Sequence, residues 1–274
     1  MCISMAAPRF VRRATATGKP GEGLGANMAS MDVAVVGAGV VGCAIASALA
    51  RRGLSVVVLE RAPREGTGIT SRNSGVIHGG LYYPPGSLKA EACLRGQALL
   101  YAWAVSHDVP HARTGKLVVA RDPAEETELA ALHANAVAAG ARGLRWLGSA
   151  EVAAREPALP PMRAALWSGH SGIIDPHALT RSLRVDAERC GAIFAMQGEL
   201  LAVSSGAAGL RLDTARGELA VGALVNAAGL DADHVAALAG HPAPPQIFPC
   251  RGDYFRLHTP GRYRGLIYPV RARG

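Results

Sequence analysis

Residues 33–42 read VAVVGAGVVG, with Met31 and Asp32 before them and the small-residue run CAIASALA after them at 43–50. Asp32–Val36 is a short, largely β-branched stretch of the kind that forms a buried parallel strand. Gly37, Gly39 and Gly42 follow in the spacing GxGxxG. Gly37 permits the tight turn out of the strand, Gly39 lets the backbone approach a pyrophosphate, and Gly42 lets the next helix pack close to the strand. That helix, running to about Arg52 and capped by Gly53, offers free N–H groups and a partial positive charge to phosphates. A second strand, Ser55–Leu59, ends at Glu60, 18 residues after Gly42. A carboxylate there accepts hydrogen bonds from ribose hydroxyls and repels a 2′-phosphate, which favours adenosine and disfavours NADP. The whole is a βαβ unit of about 30 residues, far more specific than a lone GxGxxG. Met31–Ala50 carries a single charge, at Asp32, and is long enough for a bilayer span, with Arg12–Arg13 upstream as in an export signal. The glycine spacing favours the dinucleotide turn.

Composition excludes several classes. Glycine supplies 33 of 274 residues against a usual share of ~7%, and charged residues are 18% against ~25%. With 49% hydrophobic residues the chain is neither disordered nor collagen-like, and it is long enough for a sizeable core in one large or two modest domains. The net charge is +8, but the basic residues are scattered, and all 29 are arginine except Lys19, Lys89 and Lys116. No basic run interleaves with aromatics, so nucleic acid is not an expected partner. The five cysteines (Cys2, Cys43, Cys93, Cys190, Cys250) are odd in number and form no CxxC, which argues against a disulfide framework or a metal site. A reducing compartment fits: the cytoplasm, with peripheral contact at the inner membrane as an alternative and no transmembrane span. Residues 1–30 are Arg-rich and acid-poor. They read as a transit-like leader, or as a disordered tail, or as a start assigned too early with Met28 or Met31 as the real one.

Beyond Glu60 the pattern alternates. Residues 61–86 form a long Gly-, Ser- and Pro-rich loop, a length that usually marks function. Helices are expected at Ser87–His107 and Pro123–Ala139, from Asp175 (N-cap, with Pro176 first) to about Cys190, and at Leu230–Ala239. Strands are expected at Gly115–Ala120, Ala164–Ser168, near 192–196, 199–204, 209–214 and 223–226, and at Asp253–Leu257 and Gly265–Val270. The order is α/β first, then a mixed part with antiparallel strands.

The fingerprint alone does not separate FAD from NAD. An NAD domain normally continues with a helix and a third strand, whereas TSRNSGVIHGGLYY at 70–83 is a polar, glycine-rich loop. Its Ser71, Asn73, Ser74, Gly75 and backbone amides are suited to a pyrophosphate and a flavin edge, and Gly79–Gly80 to flat approach to a ring. ALVNAAG at 223–229 is an apolar strand ending in small residues, where a cofactor can lie against Gly229.

The order VAVVGAGVVG, Glu60, TSRNSGVIHGGLYY, VNAAGLDAD resembles FAD-dependent oxidoreductases of the D-amino-acid-oxidase type. Within that group NSGVIHGGLYYPPGSLKAEACLRG, TGKLVVA, SGIIDP, PCRGDYFRL and GLIYPV are similar to L-2-hydroxyglutarate dehydrogenases/oxidases, over about Met31 to Val270. The resemblance implies a Rossmann-like FAD-binding domain (31–86 and 170–242) with an inserted antiparallel, α+β substrate domain (87–169 and 243–274). It implies oxidation of L-2-hydroxyglutarate to 2-oxoglutarate by hydride transfer to flavin N5, with a quinone or oxygen as electron acceptor. Glycerol-3-phosphate dehydrogenase, amino-acid oxidase and a catalytically silent flavin-binding fragment are the alternatives. Such enzymes continue by roughly a hundred residues past GLIYPV, so the chain is expected to be a fragment that retains FAD weakly and turns over little or not at all, or else a short enzyme that closes its site by dimerising.

This chemistry needs a base for the alcohol proton and cations for the carboxylates. His78 is the candidate base or flavin contact, or else a structural histidine hydrogen-bonded within its loop. Tyr83, with Tyr82, either roofs the site or packs at a domain junction. Arg251 either binds a carboxylate or flavin carbonyl, or pairs with Asp253. Gly37, Gly39, Gly42, Glu60, Arg61, Ser71, Asn73, Ser74, Gly75 and Gly229 are the candidate cofactor-binding residues.

Overall fold

A computed structural model describes residues 30–206, 209–243, 245–255, 258 and 261–270. The leader expected at 1–30 therefore falls, but for Ser30, outside the described residues. In chain order the elements are β1 (Ser30–Val36), α1 (Val40–Ala50), β2 (Val56–Glu60), a 3-10 turn (Ile69–Ser71), β3 (Val76–Ile77), α2 (Leu88–Ser106), β4 (His111–Ala112), β5 (Lys116–Ala120), α3 (Pro123–Ala138), β6 (Leu144–Gly148), α4 (Ser149–Arg155), β7 (Ala164–Ser168), β8 (Gly172–Ile174), α5 (Pro176–Arg189), β9 (Ile193–Met196), β10 (Leu200–Gly206), β11 (Gly209–Thr214), β12 (Gly217–Asn226), a second 3-10 turn (Gly229–Asp231), α6 (Ala232–Leu238) and β13 (Leu266–Pro269).

The main sheet has the order β10-β11-β12-β1-β2-β9. β12, β1, β2 and β9 run parallel, while β10, β11 and β12 form an antiparallel meander. Strand periodicity sorts the core. Val33, Val35, Val56 and Val58 face a layer made by α1 and α5 (Cys43, Ala46, Ala50, Leu183, Ala187). Ala34, Val36, Val57 and Leu59 face Leu200, Leu212, Val221 and Val235, the last from α6. Both faces are covered, which is why these strands read as unbroken apolar runs. A four-stranded sheet, β13-β5-β7-β6, packs Val118, Ala120 and Leu166 against Leu129 and Ala136 of α3. A small sheet, β3-β8-β4, links the loop after β2 to the strand that feeds α5.

The caps follow the sequence. Ser87 Oγ accepts from Ala90 N, Asp122 from Glu125 N, and Asp175 from both His177 N and Ala178 N. Other expectations need correction. Asp253–Tyr254–Phe255 form no strand; the rest of that expected element, 256–257, lies outside the described residues. Tyr254 and Phe255 stand exposed, and no strand among the described residues pairs with them. The strand expected near 223–226 begins at Gly217, and the helix expected from Leu230 starts as a 3-10 turn and becomes α-helical at Ala232. β6 and α4 were not foreseen because β6 buries only Leu147, leaving no alternation to read. β3, β4 and β8 span two or three residues each, too few for a periodic signal.

One polar cluster joins the helix layer. Asp186 of α5, nearly buried, accepts from Ser47 Oγ of α1 at 2.6 Å and from Nε of Arg51, the C-cap of α1, at 2.8 Å, and His107 Nε2 lies 3.9 Å away. The Arg51 bond, opposed by burial and helped by Ser47, holds the Asp186 carboxyl below its ordinary value. Because the folded value is depressed, this stabilisation is present above the unfolded carboxyl value near 3.8 and is lost as pH falls through the folded one. Asp186→Ala should lower stability by about 1–3 kcal/mol, the lower end reflecting a half-exposed Arg51. Denaturant melts should then show a wild-type advantage at pH 7 that shrinks towards pH 3. An equal gap at both pH values would contradict the assignment.

Candidate functional site

The C-terminal ends of β1, β2 and β12 open into a cleft of about 500 Å³. Strand β1 sits at the centre of the sheet, with β2 on one side and β12 on the other, so the cleft lies where the connections diverge, the usual ligand crevice of such sheets. Gly37 turns the chain out of β1 at φ +103°, and a Cβ on it would stand 2.5 Å from the Ala227 carbonyl oxygen. A Cβ on Gly42 would stand 1.8 Å from the Gly37 carbonyl oxygen. Both glycines are required by close backbone approach, and Ala227–Ala228 are small for the same reason. Helix α1 begins at the cleft with Gly39 as its N-cap and no acidic residue in its first turn. Its positive end therefore faces the crevice.

Several sequence candidates converge. Gly37, Gly39, Glu60, Arg61, Asn73 and Gly229 all line the cleft. Glu60 Oε2 accepts from Ala38 N at 2.7 Å and Oε1 from Ala62 N at 2.8 Å. The carboxylate thus splints the glycine turn, and each oxygen keeps a lone pair for a ribose hydroxyl. Arg61 is paired with Asp231, Nη2 to Oδ2 at 2.8 Å, bridging the two sides of the cleft mouth.

Others stand elsewhere. Gly42 supports the turn from within α1, and Ser71, Ser74 and Gly75 do not line the cleft. Ser71 Oγ donates to the carbonyls of Thr67 and Gly68. Asn73 Nδ2 donates to Thr70 O and its Oδ1 accepts from Gly75 N. The polar side chains of this loop mainly satisfy its own backbone. Gly75 passes over the Ile174 carbonyl, where a Cβ would come within 2.5 Å. The loop then carries His78 out of the β3-β8 pairing. Thr70, quoted in the loop motif but assigned no role by the sequence, matters more: its Oγ1 accepts from Val40 N at 3.1 Å and so caps α1 from 30 residues away. Asp231, quoted in VNAAGLDAD but given no role by the sequence, also lines the cleft, as do His234 and Glu199, which carry no sequence signal.

His78 is anchored by its main chain. Its carbonyl accepts from Gln97 Nε2 at 2.9 Å, while its ring makes no hydrogen bond among the described residues. That disposition does not match a histidine that holds its loop through the ring. The residue is exposed on one side; partial desolvation and the charge of Lys116 hold the imidazole below its ordinary value, so it is neutral at pH 7. Tyr82 packs into the core of the four-stranded sheet, and Tyr83 lies 4.8 Å beneath Lys89 Nζ. Arg251 is not brought to the cleft. Its Nε donates to Asp253 at 2.8 Å on an exposed segment, the ion-pair alternative of the sequence reading.

Cys43, Cys93, Cys190 and Cys250 are free, and no cluster of His, Cys, Asp and Glu suited to a metal occurs among the described residues. No helix among them is long and apolar enough to cross a membrane.

Comparison with known proteins agrees with this geometry. In L-α-glycerophosphate oxidase from Mycoplasma pneumoniae, solved with FAD bound, 66% of the chain superposes on 89% of this one with a TM-score of 0.78 at 24% identity. Glycine oxidase from Geobacillus kaustophilus matches 77% of this chain and 58% of its own, with a TM-score of 0.71 and 27% identity. Among curated relatives, the L-2-hydroxyglutarate dehydrogenase of Caenorhabditis elegans is 37% identical over 255 residues, 87% of this chain and 57% of the relative. The human protein of that name is 34% identical over 275 residues, 93% of this chain and 59% of the relative. The chain thus spans somewhat under three-fifths of the length of these relatives. The family model for FAD dependent oxidoreductases matches residues 32–273, from the strand before the glycine turn to the end of the last sheet and beyond, and the chain belongs to that family.

Proposed function

We propose that the protein oxidises L-2-hydroxyglutarate to 2-oxoglutarate with FAD. The observation that carries this reading is the similarity to L-2-hydroxyglutarate dehydrogenases, 37% identity over 255 residues and 87% of this chain in the worm relative. The cleft suits FAD: a glycine turn with no room for a Cβ at Gly37 or Gly42, a helix N-terminus free of acids, and a carboxylate at the end of β2. Gly37 and Gly39 with the first turn of α1 would receive the pyrophosphate, Glu60 the ribose, and Gly229 the side nearest β12. Bound FAD supplies a two-electron acceptor for the hydride leaving C2 of the substrate.

The chain's own residues do the rest. His78, neutral and with a ring that makes no hydrogen bond among the described residues, accepts the C2 hydroxyl proton. Tyr83 stands beside that loop as part of the wall. Residues 31–86 and 170–242 form the cofactor side, and 87–169 with the segment from 243 onward form the substrate side. Electrons leave to a quinone or to oxygen, and the setting is cytoplasmic or at the inner-membrane surface.

Anaerobic mixing of the FAD-loaded chain with candidate reductants tests the substrate. L-2-Hydroxyglutarate should bleach the flavin at least about tenfold faster than glycerol 3-phosphate or glycine, the discrimination expected of a site built for a second carboxylate. Equal or faster bleaching by either of those would overturn the hydroxy-acid reading.

A further inference from the structure

Lys116 opens β5 in the middle of the four-stranded sheet, between Ser168 of β7 and Leu266 of β13, and it is wholly buried. Lysine is rarely buried to this degree. Its Nζ lies 4.7 Å from the ring centre of Tyr82 and 4.9 Å from that of Tyr268. Two aromatic faces therefore grip the ammonium. Tyr82 belongs to the loop that carries His78. The same loop presses on this sheet at Gly79, where a Cβ would come within 2.6 Å of Ser168 Oγ. Cys93 of α2 closes the other side, its Sγ 3.7 Å from the His78 carbonyl.

We propose that Lys116 is an electrostatic positioning residue for His78: a fixed cation, clamped between Tyr82 and Tyr268, beneath the loop that presents the imidazole. The inference rests on the reading of His78 as proton acceptor. Tyr82 of the loop and Tyr268 of β13 touch the ammonium through their rings, the His78 imidazole and the Cys93 thiol of α2 lie within its electrostatic reach, and Lys89 sits over Tyr83. A positive charge there disfavours a second one on the imidazole, so the ring stays a base. It also favours the Cys93 thiolate, against the burial that raises that thiol. The same cation thus favours the deprotonated form of both neighbours, leaving one neutral and the other anionic, and each reports on it independently.

The test needs no turnover. In the FAD-loaded chain, the His78 resonance, assigned by its loss in His78→Gln, is titrated by NMR in wild type, Lys116→Met, Lys116→Gln and Lys116→Arg. The neutral variants should move the His78 midpoint up towards that of a free imidazole, and Lys116→Arg should hold it near the wild-type position. Alkylation of Cys93 at pH 7.5, followed by mass spectrometry, should slow by about threefold or more in the neutral variants, as the thiolate fraction falls. An unmoved His78 midpoint in a folded neutral variant overturns the proposal. Loss of fold in both neutral variants assigns the lysine to stability alone and overturns it equally. If His78→Gln leaves flavin reduction unchanged while the midpoints still shift, the electrostatic link stands and the catalytic reading of His78 fails.

Discussion

Gly42→Val should yield a colourless protein. A Cβ at this position would sit 1.8 Å from the Gly37 carbonyl oxygen, and that oxygen belongs to the turn itself, so no flexible side chain can yield. Either α1 is pushed off β1 or the turn opens. Both outcomes separate the helix N-terminus from the crevice and remove Val40 N from Thr70 Oγ1. Overpacking a close backbone contact costs about 1–3 kcal/mol at ordinary core positions, and the expected loss here lies at or above the top of that range. FAD binds only the folded turn, so its contribution to stability disappears as well. Gly53→Ala is the control. Gly53 also has positive φ, +81°, but no atom lies within 4 Å of its Cβ position. It should cost about 1 kcal/mol and leave the flavin bound. Flavin absorbance per mole of purified chain and denaturant midpoints measure both effects. Normal flavin content in Gly42→Val would contradict the place given to this turn.

The contrast between these glycines shows what the sequence could say. GxGxxG is legible because its spacing is read within six residues and Gly42 meets Gly37 inside the motif, although Gly37 is also constrained by Ala227, just past the end of β12. Glu60 was legible as a residue at the right distance, but not in its second role, because Ala38 N lies 22 residues away in sequence and meets the carboxylate only after β1 and β2 pair. Thr70 was harder still. Caps are sought next to the helix they cap, and this one arrives from a loop beyond β2. The same loop works in the other direction. Ser71 and Asn73 have the chemistry of phosphate ligands, yet a glycine-rich loop must first satisfy its own amides and carbonyls; Ser71 is turned to those and lies off the cleft, while Asn73 bonds Thr70 and Gly75 and still lines it. In the sequence Arg251 reads equally well as a site residue and as an ion-pair partner of Asp253, and the 2.8 Å bond to Asp253, away from the cleft, separates the two. Lys116 gave no signal, since a lysine at a strand start is ordinary until its burial is seen.

His78→Ala should slow flavin reduction by about 100-fold while leaving the cofactor bound, the contribution typical of a positioned general base. The substitution isolates the ring. Gln97 and Cys93 hold this residue through its carbonyl oxygen, which alanine retains, and no side-chain hydrogen bond is lost among the described residues. The cleft-lining residues lie elsewhere, at Gly37–Gly39, Glu60–Arg61 and 227–231, so flavin content should match wild type. The pH dependence follows from the direction of the shift. With the folded imidazole below its ordinary value, the proton-accepting form persists below pH 6.5, and reduction should fall only as pH drops through the lowered value. In His78→Ala that acid limb should vanish along with most of the rate. Stopped-flow reduction by L-2-hydroxyglutarate from pH 5 to 8 reads rate and limb together. A rate within about threefold of wild type, with the limb intact, would remove His78 from the chemistry and leave its carbonyl as the only part that matters.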